Sequence, residues 1–238
     1  MKGFKDNWLV FEDEILLADS LAQEILNIAE QSIRQNGCFN IVLTGGKSAL
    51  NLYIILSKSN SDWDKWHIYI GDERYFTKNH KNRNDQVIRE IWLDASTIPK
   101  KNIHFIKIEI GLLEAREEYE KVLKNIDKFD VVLLSMGEDG HIASLFPNHI
   151  YPEGQMVVVE KNSPKQPKER ISLSYSRLNR TYYVFKLIIG EPKQKAVILL
   201  GQNINLPITR VNGECEKLFF CKNVYHPKTS DNFLKFLI

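Results

Sequence analysis

Cysteine is scarce in this chain and poorly arranged for cross-linking. Cys38, Cys215 and Cys221 are three among 238 residues, an odd number with no C-x-x-C pair. That argues against a disulfide framework or a zinc site and fits a reducing cytosol. Long apolar runs are missing too: nothing approaches the roughly 20 residues that span a bilayer, so no membrane association is expected. The opening MKGFKDNWLVFEDE lacks a continuous apolar segment and carries acidic residues early, unlike a signal or transit peptide. A cytoplasmic location is the expectation. A strong charge bias is also absent, with 32 Lys and Arg against 30 Asp and Glu, net +2. This gives no case for nucleic acid, whereas a slight cationic excess suits an anionic small molecule. No internal repeat, low-complexity segment or convincing linker occurs, so one domain over 1–238 is expected. Its hydrophobic content of 43% is enough for a substantial core.

What is present alternates between strand and helix. Leu17, Leu21, Ile25, Ile28 and Ser32 fall at helical spacing between Asp13 and Gln35, and Gly37 is placed as a C-terminal stop. Phe39–Leu43 reads as a buried strand running into Thr44-Gly45-Gly46-Lys47-Ser48, with a helix from Ala49 to Leu56. Trp66–Ile70 is a second strand, ending in Gly71-Asp72-Glu73-Arg74. A basic loop then leads to a helix over Asn84–Leu93. Ile103–Ile106 is a short strand, Leu112–Asn125 a charged amphipathic helix, and Phe129–Leu134 a buried strand with β-branched residues. This pattern predicts an α/β fold with a mostly parallel sheet flanked by helices. Beyond Pro147 the chain is richer in proline. Ile171–Tyr175 alternates like a half-exposed strand, and Thr181–Ile189 is a longer strand. Gly190-Glu191-Pro192 starts a helix through Leu200 with proline in its first turn. Lys217–Cys221 is the last strand, and Phe233-Leu234 and Phe236-Leu237 form an apolar tail.

Three stretches carry chemistry. Gly137-Glu138-Asp139-Gly140-His141 follows a buried strand, and loops leaving the carboxyl ends of parallel strands are where such folds bind ligands. Histidine is the side chain best suited to move a proton near neutral pH, and short helical material is expected after it. A structural histidine is the alternative. The Gly45–Gly46 turn between strand and helix lets main chain approach a phosphate, with Lys47 and Ser48 adding a cation and a hydroxyl. A plain tight turn explains it equally well. A nucleotide-binding P-loop is excluded, because Ile41 stands where that motif needs its first glycine. Asp72-Glu73-Arg74 could hold a sugar hydroxyl or, through the arginine fork, a phosphate. In isolation, a solvated turn with an internal ion pair is the favoured reading. His141 and His149 flank Pro147 and cannot share a helical face, so no metal pair is expected. The clusters Lys78, Lys81, Arg83 and Lys161, Lys165, Lys168, Arg170 read mainly as solvated surface, with one or two residues guarding an anionic substrate.

Several separated segments, in order, resemble one family. GEDGHIASLFP at 137–147 is similar to the signature loop of the 6-phosphogluconolactonases. Asp72-Glu73-Arg74, His80 and Asn84 follow that family's spacing, and Gly45–Gly46 stand where it carries a phosphate turn. Arg170–Leu173, Leu178–Arg180, Gly190–Lys193 and Leu206-Pro207 extend the resemblance over nearly the whole chain. It implies the Rossmann-like sugar-phosphate isomerase/deaminase fold and hydrolysis of a 6-phosphogluconolactone without metal or cofactor. In that reading His141 is the base, with Asp139 orienting it or a sugar hydroxyl. Gly45, Gly46, Lys47 and Ser48 cradle phosphate, and Asp72, Arg74, Asn84, Gly140, Arg170 and Lys193 complete the site. Glucosamine-6-phosphate deaminases are the related alternative, but Ser144-Leu145-Phe146-Pro147 and Arg74 follow the lactonases. A non-catalytic sugar-phosphate-binding regulator is the other. Two departures stand out: Ser48-Ala49 replaces threonine-proline, and Arg83 replaces a serine before Asn84. The expected partner is a sugar phosphate, for a monomer or weak homo-oligomer.

Overall fold

A computed structural model describes residues 7–202 and 204–224; the apolar tail at 233–237 lies outside the described residues. Seven strands form one all-parallel sheet, and three more form a small antiparallel sheet. In chain order the elements are β1 (Trp8–Phe11), α1 (Glu14–Asn36), β2 (Phe39–Leu43), α2 (Leu50–Lys58), β3 (Trp66–Ile70), β4 (Asp72–Arg74) and α3 (Asn84–Ile88). They continue as β5 (Ile103–His104), α4 (Leu112–Leu123), β6 (Phe129–Ser135), β7 (Val157–Glu160), β8 (Arg170–Leu173), α5 (Tyr175–Asn179), β9 (Thr181–Ile188), α6 (Gln194–Gly201) and β10 (Cys215–Cys221).

The large sheet has the order β1-β10-β9-β6-β2-β3-β5. From β2 the chain steps outward through β3 to β5, then returns to place β6 on the other side of β2 and steps outward again through β9 and β10. The winding therefore reverses between β2 and β6, the switch point at which open parallel sheets form a crevice beyond their carboxyl ends. Val131, Val132, Leu133 and Leu134 of β6 are fully buried or nearly so, as a central strand covered on both faces requires. The helix α1 begins at Asp13, whose carboxylate accepts from the N–H groups of Ile15 and Leu16, and it stops at Gly37 in the left-handed conformation (φ 81°).

Buried tyrosines fix two of the strand ends. The Tyr53 hydroxyl donates to the Thr44 carbonyl (2.6 Å) and accepts from the Thr44 N–H (3.1 Å) just past β2. Tyr119 treats Ile70, the last residue of β3, the same way at 2.9 and 3.0 Å. Backbone groups freed where a strand ends are thereby satisfied without water.

Several sequence expectations need correction. Asp72-Glu73-Arg74 is no solvated turn: it is β4, and Glu73 is wholly buried. The segment Ile171–Tyr175 is not half-exposed, since all four residues of β8, the central strand between β4 and β7 that also contacts α4, are buried. The stretch after His141 contains turns and an isolated Ile142–Leu145 bridge rather than helix. The Asn84–Leu93 helix widens into a π-helical turn over Arg89–Leu93. The strands β1 and β7 and the helix α5 were not anticipated.

Candidate active site

A cavity of about 500 Å³ opens at the switch point, within the range of small-molecule sites. Four parallel strands deliver its walls. The turn after β2 supplies Thr44 to Ser48, and the segment after β3 supplies Asp72 and Arg74. The end of β6 and the loop after it supply Ser135 to Glu138 and His141, and the turn after β9 supplies Ile189, Gly190, Pro192 and Lys193.

The glycine turn is shaped by what surrounds it. A Cβ on Gly45 would lie 2.0 Å from Oδ1 of Asn84, so only glycine fits, and Gly46 has φ 86°. Gly46 begins the helical run of Lys47–Ala49 and α2 without a side-chain cap, and Gly46, Lys47 and Ser48 line the cavity. This run forms although the proline of the resembled family is replaced by Ala49, which is buried.

The period of β4 explains the division of labour within Asp72-Glu73-Arg74. Alternate side chains go to opposite faces. Asp72 and Arg74 line the cavity, and Glu73 points behind it. There its carboxylate accepts from the N–H groups of Arg74, Asn84 and Asp85, each at 2.8 Å, capping α3 from outside. Burial and the adjacent Asp85 carboxylate push Glu73 up to about 8, against those three donors. Asn84 is thereby fixed, and its amide donates to the Asp72 carbonyl (3.0 Å) and carboxylate (3.3 Å). Arg83 turns away: it pairs with Asp85 through two bonds of 2.8 and 2.7 Å and also approaches Glu109.

Arg74 and Arg170 are direct cross-strand partners on the cavity face of the small sheet. Like charges so placed repel, an arrangement that an anion between them relieves. The Arg74 Nη1 holds the Asn82 carbonyl, and its buried Nε has no partner. Arg170 spends Nε and Nη2 on the carbonyls of Pro167, Lys165 and Gln166, which draws that loop over the cavity. Lys165, paired with Glu138 at 3.5 Å, and Lys193 add positive charge. Partial burial and then the neighbouring Lys165 lower the Lys193 pKa.

His141 is held tightly. Its Nδ1 lies 2.5 Å from Oδ1 of Asp139, and its ring packs on Phe146 at 4.7 Å. Burial opposes ionisation of Asp139, but the hydrogen bond and charge of His141 outweigh it and hold the carboxyl down at about 2. With Nδ1 engaged, Nε2 is the nitrogen left for chemistry. The loop closes through Gly137 N–H to the His141 carbonyl (2.8 Å) and Gly140 N–H to the Gly137 carbonyl (3.1 Å).

The cavity gathers ten of the sequence-derived candidates: His141, Gly45, Gly46, Lys47, Ser48, Asp72, Arg74, Asn84, Arg170 and Lys193. Asp139 and Gly140 lie behind the wall, Asp139 against the imidazole and Gly140 against Leu206. Sequence reasoning did not single out Glu14, Phe76, Asn82 or Gln166. Lys165 had a signal in its basic cluster, and Gly190 lay in a segment of the family resemblance without being named as a site residue. No group of three or more His, Cys, Asp or Glu able to hold a metal occurs among the described residues.

The fold and cavity define a class: an open parallel α/β protein with an uncapped glycine turn and an aspartate-supported histidine at its switch point. Residues 12–220 match the family described as glucosamine-6-phosphate isomerases/6-phosphogluconolactonase, and the chain belongs to that family. A rice protein named "Probable 6-phosphogluconolactonase 4, chloroplastic" is 33% identical over 79% of this chain. That alignment spans only 64% of the rice protein. The 6-phosphogluconolactonase 3, chloroplastic, of Arabidopsis thaliana is 30% identical over 89% of this chain and 71% of its own length. The crystal structure of 6-phosphogluconolactonase from Thermotoga maritima superposes with a TM-score of 0.83 at 28% identity, covering 90% of this chain and 98% of that one.

Proposed function

We propose that this chain hydrolyses 6-phospho-D-glucono-1,5-lactone to 6-phospho-D-gluconate, the ring-opening step of the oxidative pentose phosphate pathway. The observation that carries the reading is His141, backed by Asp139, sharing one cavity with the uncapped glycine turn and the Arg74–Arg170 pair. Relatives named as 6-phosphogluconolactonases support the substrate.

In this mechanism the substrate's phosphate binds the Gly45–Ser48 turn with nearby cations, fixing the lactone carbonyl relative to His141. Neutral His141 takes a proton at Nε2 from water as the water oxygen attacks that carbonyl. The oxyanion formed is met by preplaced donors along the cavity wall. Its collapse breaks the ester bond, and the imidazolium returns its proton to the departing ring oxygen. Asp139, ionised throughout, keeps the proton on Nδ1 and stabilises the transient imidazolium. Water and these side chains suffice, so the reading calls for no metal or organic cofactor.

A single domain and a cytoplasmic location belong to the same proposal. One core cluster runs from α1 through the large sheet to β7 and β8, and three unpaired thiols suit a reducing compartment. The plant relatives, by contrast, are named chloroplastic. A monomer or weak homo-oligomer belongs to the same reading, and no nucleic acid is invoked.

The test is hydrolysis of freshly generated lactone, with the spontaneous rate subtracted, for wild type beside His141→Ala. Loss of about 10²- to 10⁴-fold in turnover, with product-analogue binding kept, is the expected result. Wild-type turnover in the variant would remove His141 as base. No wild-type rate, together with ammonia release from glucosamine 6-phosphate, would replace the lactonase reading by a deaminase one.

A further inference from the structure

The loop that carries His141 is held from its far side by three residues the mechanism does not use. Phe146, the ring on which His141 packs, donates its main-chain N–H to the Tyr151 hydroxyl at 2.8 Å. That hydroxyl lies 2.8 Å from Oε2 of Glu160 and 3.2 Å from the Ser144 carbonyl. It has one proton to give. Glu160 is only 4% exposed and accepts from Asn162 N–H (2.6 Å) and from Nδ1 of His149 (2.7 Å) as well. Burial resists ionisation there, but these donors hold its carboxyl below the usual range, so the shorter bond from Tyr151 is charge-assisted.

The residues between are under local constraint. Ala143 has φ 46°, a left-handed conformation that a residue with a Cβ keeps only where its surroundings impose it. Ser144, next along, donates to Asp72 at 2.6 Å, tying the loop to the cavity wall. The Phe146 ring also lies 5.5 Å beneath the Arg170 guanidinium. One aromatic ring therefore supports both the proposed base and a cavity cation. The Ser144 N–H is held by the Ser172 hydroxyl at 3.2 Å, and the Phe146 N–H behind the ring is held by the Tyr151–Glu160 pair.

We infer that Tyr151 and Glu160 are positioning residues for His141, setting the imidazole against the substrate through the main chain and ring of Phe146. The inference rests on the assignment of His141 as base. The hydroxyl of Tyr151 receives the Phe146 N–H and passes its own proton to a buried carboxylate, so the loop cannot slide without leaving both groups unpaired. His149, which shares the same carboxylate oxygen, completes the anchor from the solvent side.

Tyr151→Phe removes one oxygen and keeps the ring, and Glu160→Gln keeps the volume and removes the charge. Both are to be assayed beside wild type and His141→Ala, with the His141 Nδ1–H resonance followed by NMR in ¹⁵N-histidine-labelled protein. For Tyr151→Phe, kcat should fall about tenfold or more while KM stays within about twofold, because the base and not the phosphate grip is displaced. The His141 resonance should shift at temperatures where the variant is fully folded, a change a purely structural anchor would not produce. If Tyr151→Phe does not fold, Glu160→Gln decides by the same readouts. An unchanged kcat with an unmoved resonance overturns the inference, as does a rise in KM alone, which would assign the anchor to Arg170. Wild-type turnover in His141→Ala would instead sink the base assignment itself.

Discussion

The imidazole of His141 lies so close over Gly137 that a Cβ there would stand 2.0 Å from its Nδ1 and Cε1. Nothing in the backbone of Gly137 demands glycine, since its φ is not among the positive ones. The ring itself demands it. Gly137→Ala should push the imidazole off Asp139 and lower kcat about 10²-fold, as a displacement of the order of 1 Å can. Thermal unfolding should show the fold intact, and a crystal structure of the variant would show the Nδ1–Asp139 contact broken. Unchanged turnover would mean that the ring position is not what limits catalysis.

Gly45 and Asn84 make a similar pair across the cavity, and here the expected effect falls on binding. Gly45→Ala forces the Asn84 amide away from Asp72 and disturbs the turn proposed to hold the phosphate. KM should rise about tenfold, the scale of one charge-assisted hydrogen bond lost. Isothermal titration with 6-phosphogluconate, the product of the proposed reaction, measures it directly.

Arg83 stands where the resembled family has serine, and the structure places it outside the cavity. Its guanidinium, 3% exposed, neutralises Asp85 at the start of α3. Arg83→Ser should therefore cost about 3 kcal/mol of stability, the scale of a buried pair broken on one side. Denaturant unfolding would record that loss. KM for the lactone should move little. A large KM change would mean that this departure does tune the site.

His67 on β3 and His104 on β5, diagonal neighbours with ring nitrogens 3.3 Å apart, make stability pH-dependent. Burial and then His67 lower the His104 pKa to about 4, and burial and then Lys101 lower that of His67. The unfolded chain binds protons near 6.5, the folded pair only below that. Stability from this pair is therefore complete above about pH 6.5 and is lost as pH falls towards 4. Unfolding midpoints at pH 7 and pH 5 should differ more for wild type than for His104→Gln. An equal difference would show that carboxylates elsewhere set the acid limit.

The parallel sheet was legible from sequence because its strands are buried on both faces and read as unbroken apolar runs, as Val131–Leu134 does. So was α1, whose apolar spacing, aspartate cap and terminal glycine agree. The small antiparallel sheet was not. Strand β4 has three residues, all charged, and its burial comes from the α3 N-terminus and from β8, about a hundred residues on. Local pattern contains no trace of those partners. The chemistry of the histidine loop was readable from residue type and order. That Asp139 sits behind the ring while Asp72 faces the cavity was not, because both are aspartates at strand ends.

By itself, then, the sequence determined the strand–helix alternation, the glycine turn, the histidine loop and the family resemblance, since each is written in neighbouring residues. The tertiary structure alone decided that the turn after β2 and the loop after β6 meet. Their strands are 90 residues apart between Ile41 and Val131 yet register partners. It also decided that Arg74 faces Arg170, that Arg83 faces away, and that Tyr151 and Glu160 stand behind Phe146. Those are consequences of a winding that reverses at one place in the sheet, and long-range pairing is fixed by the packing of the whole core rather than by any local stretch.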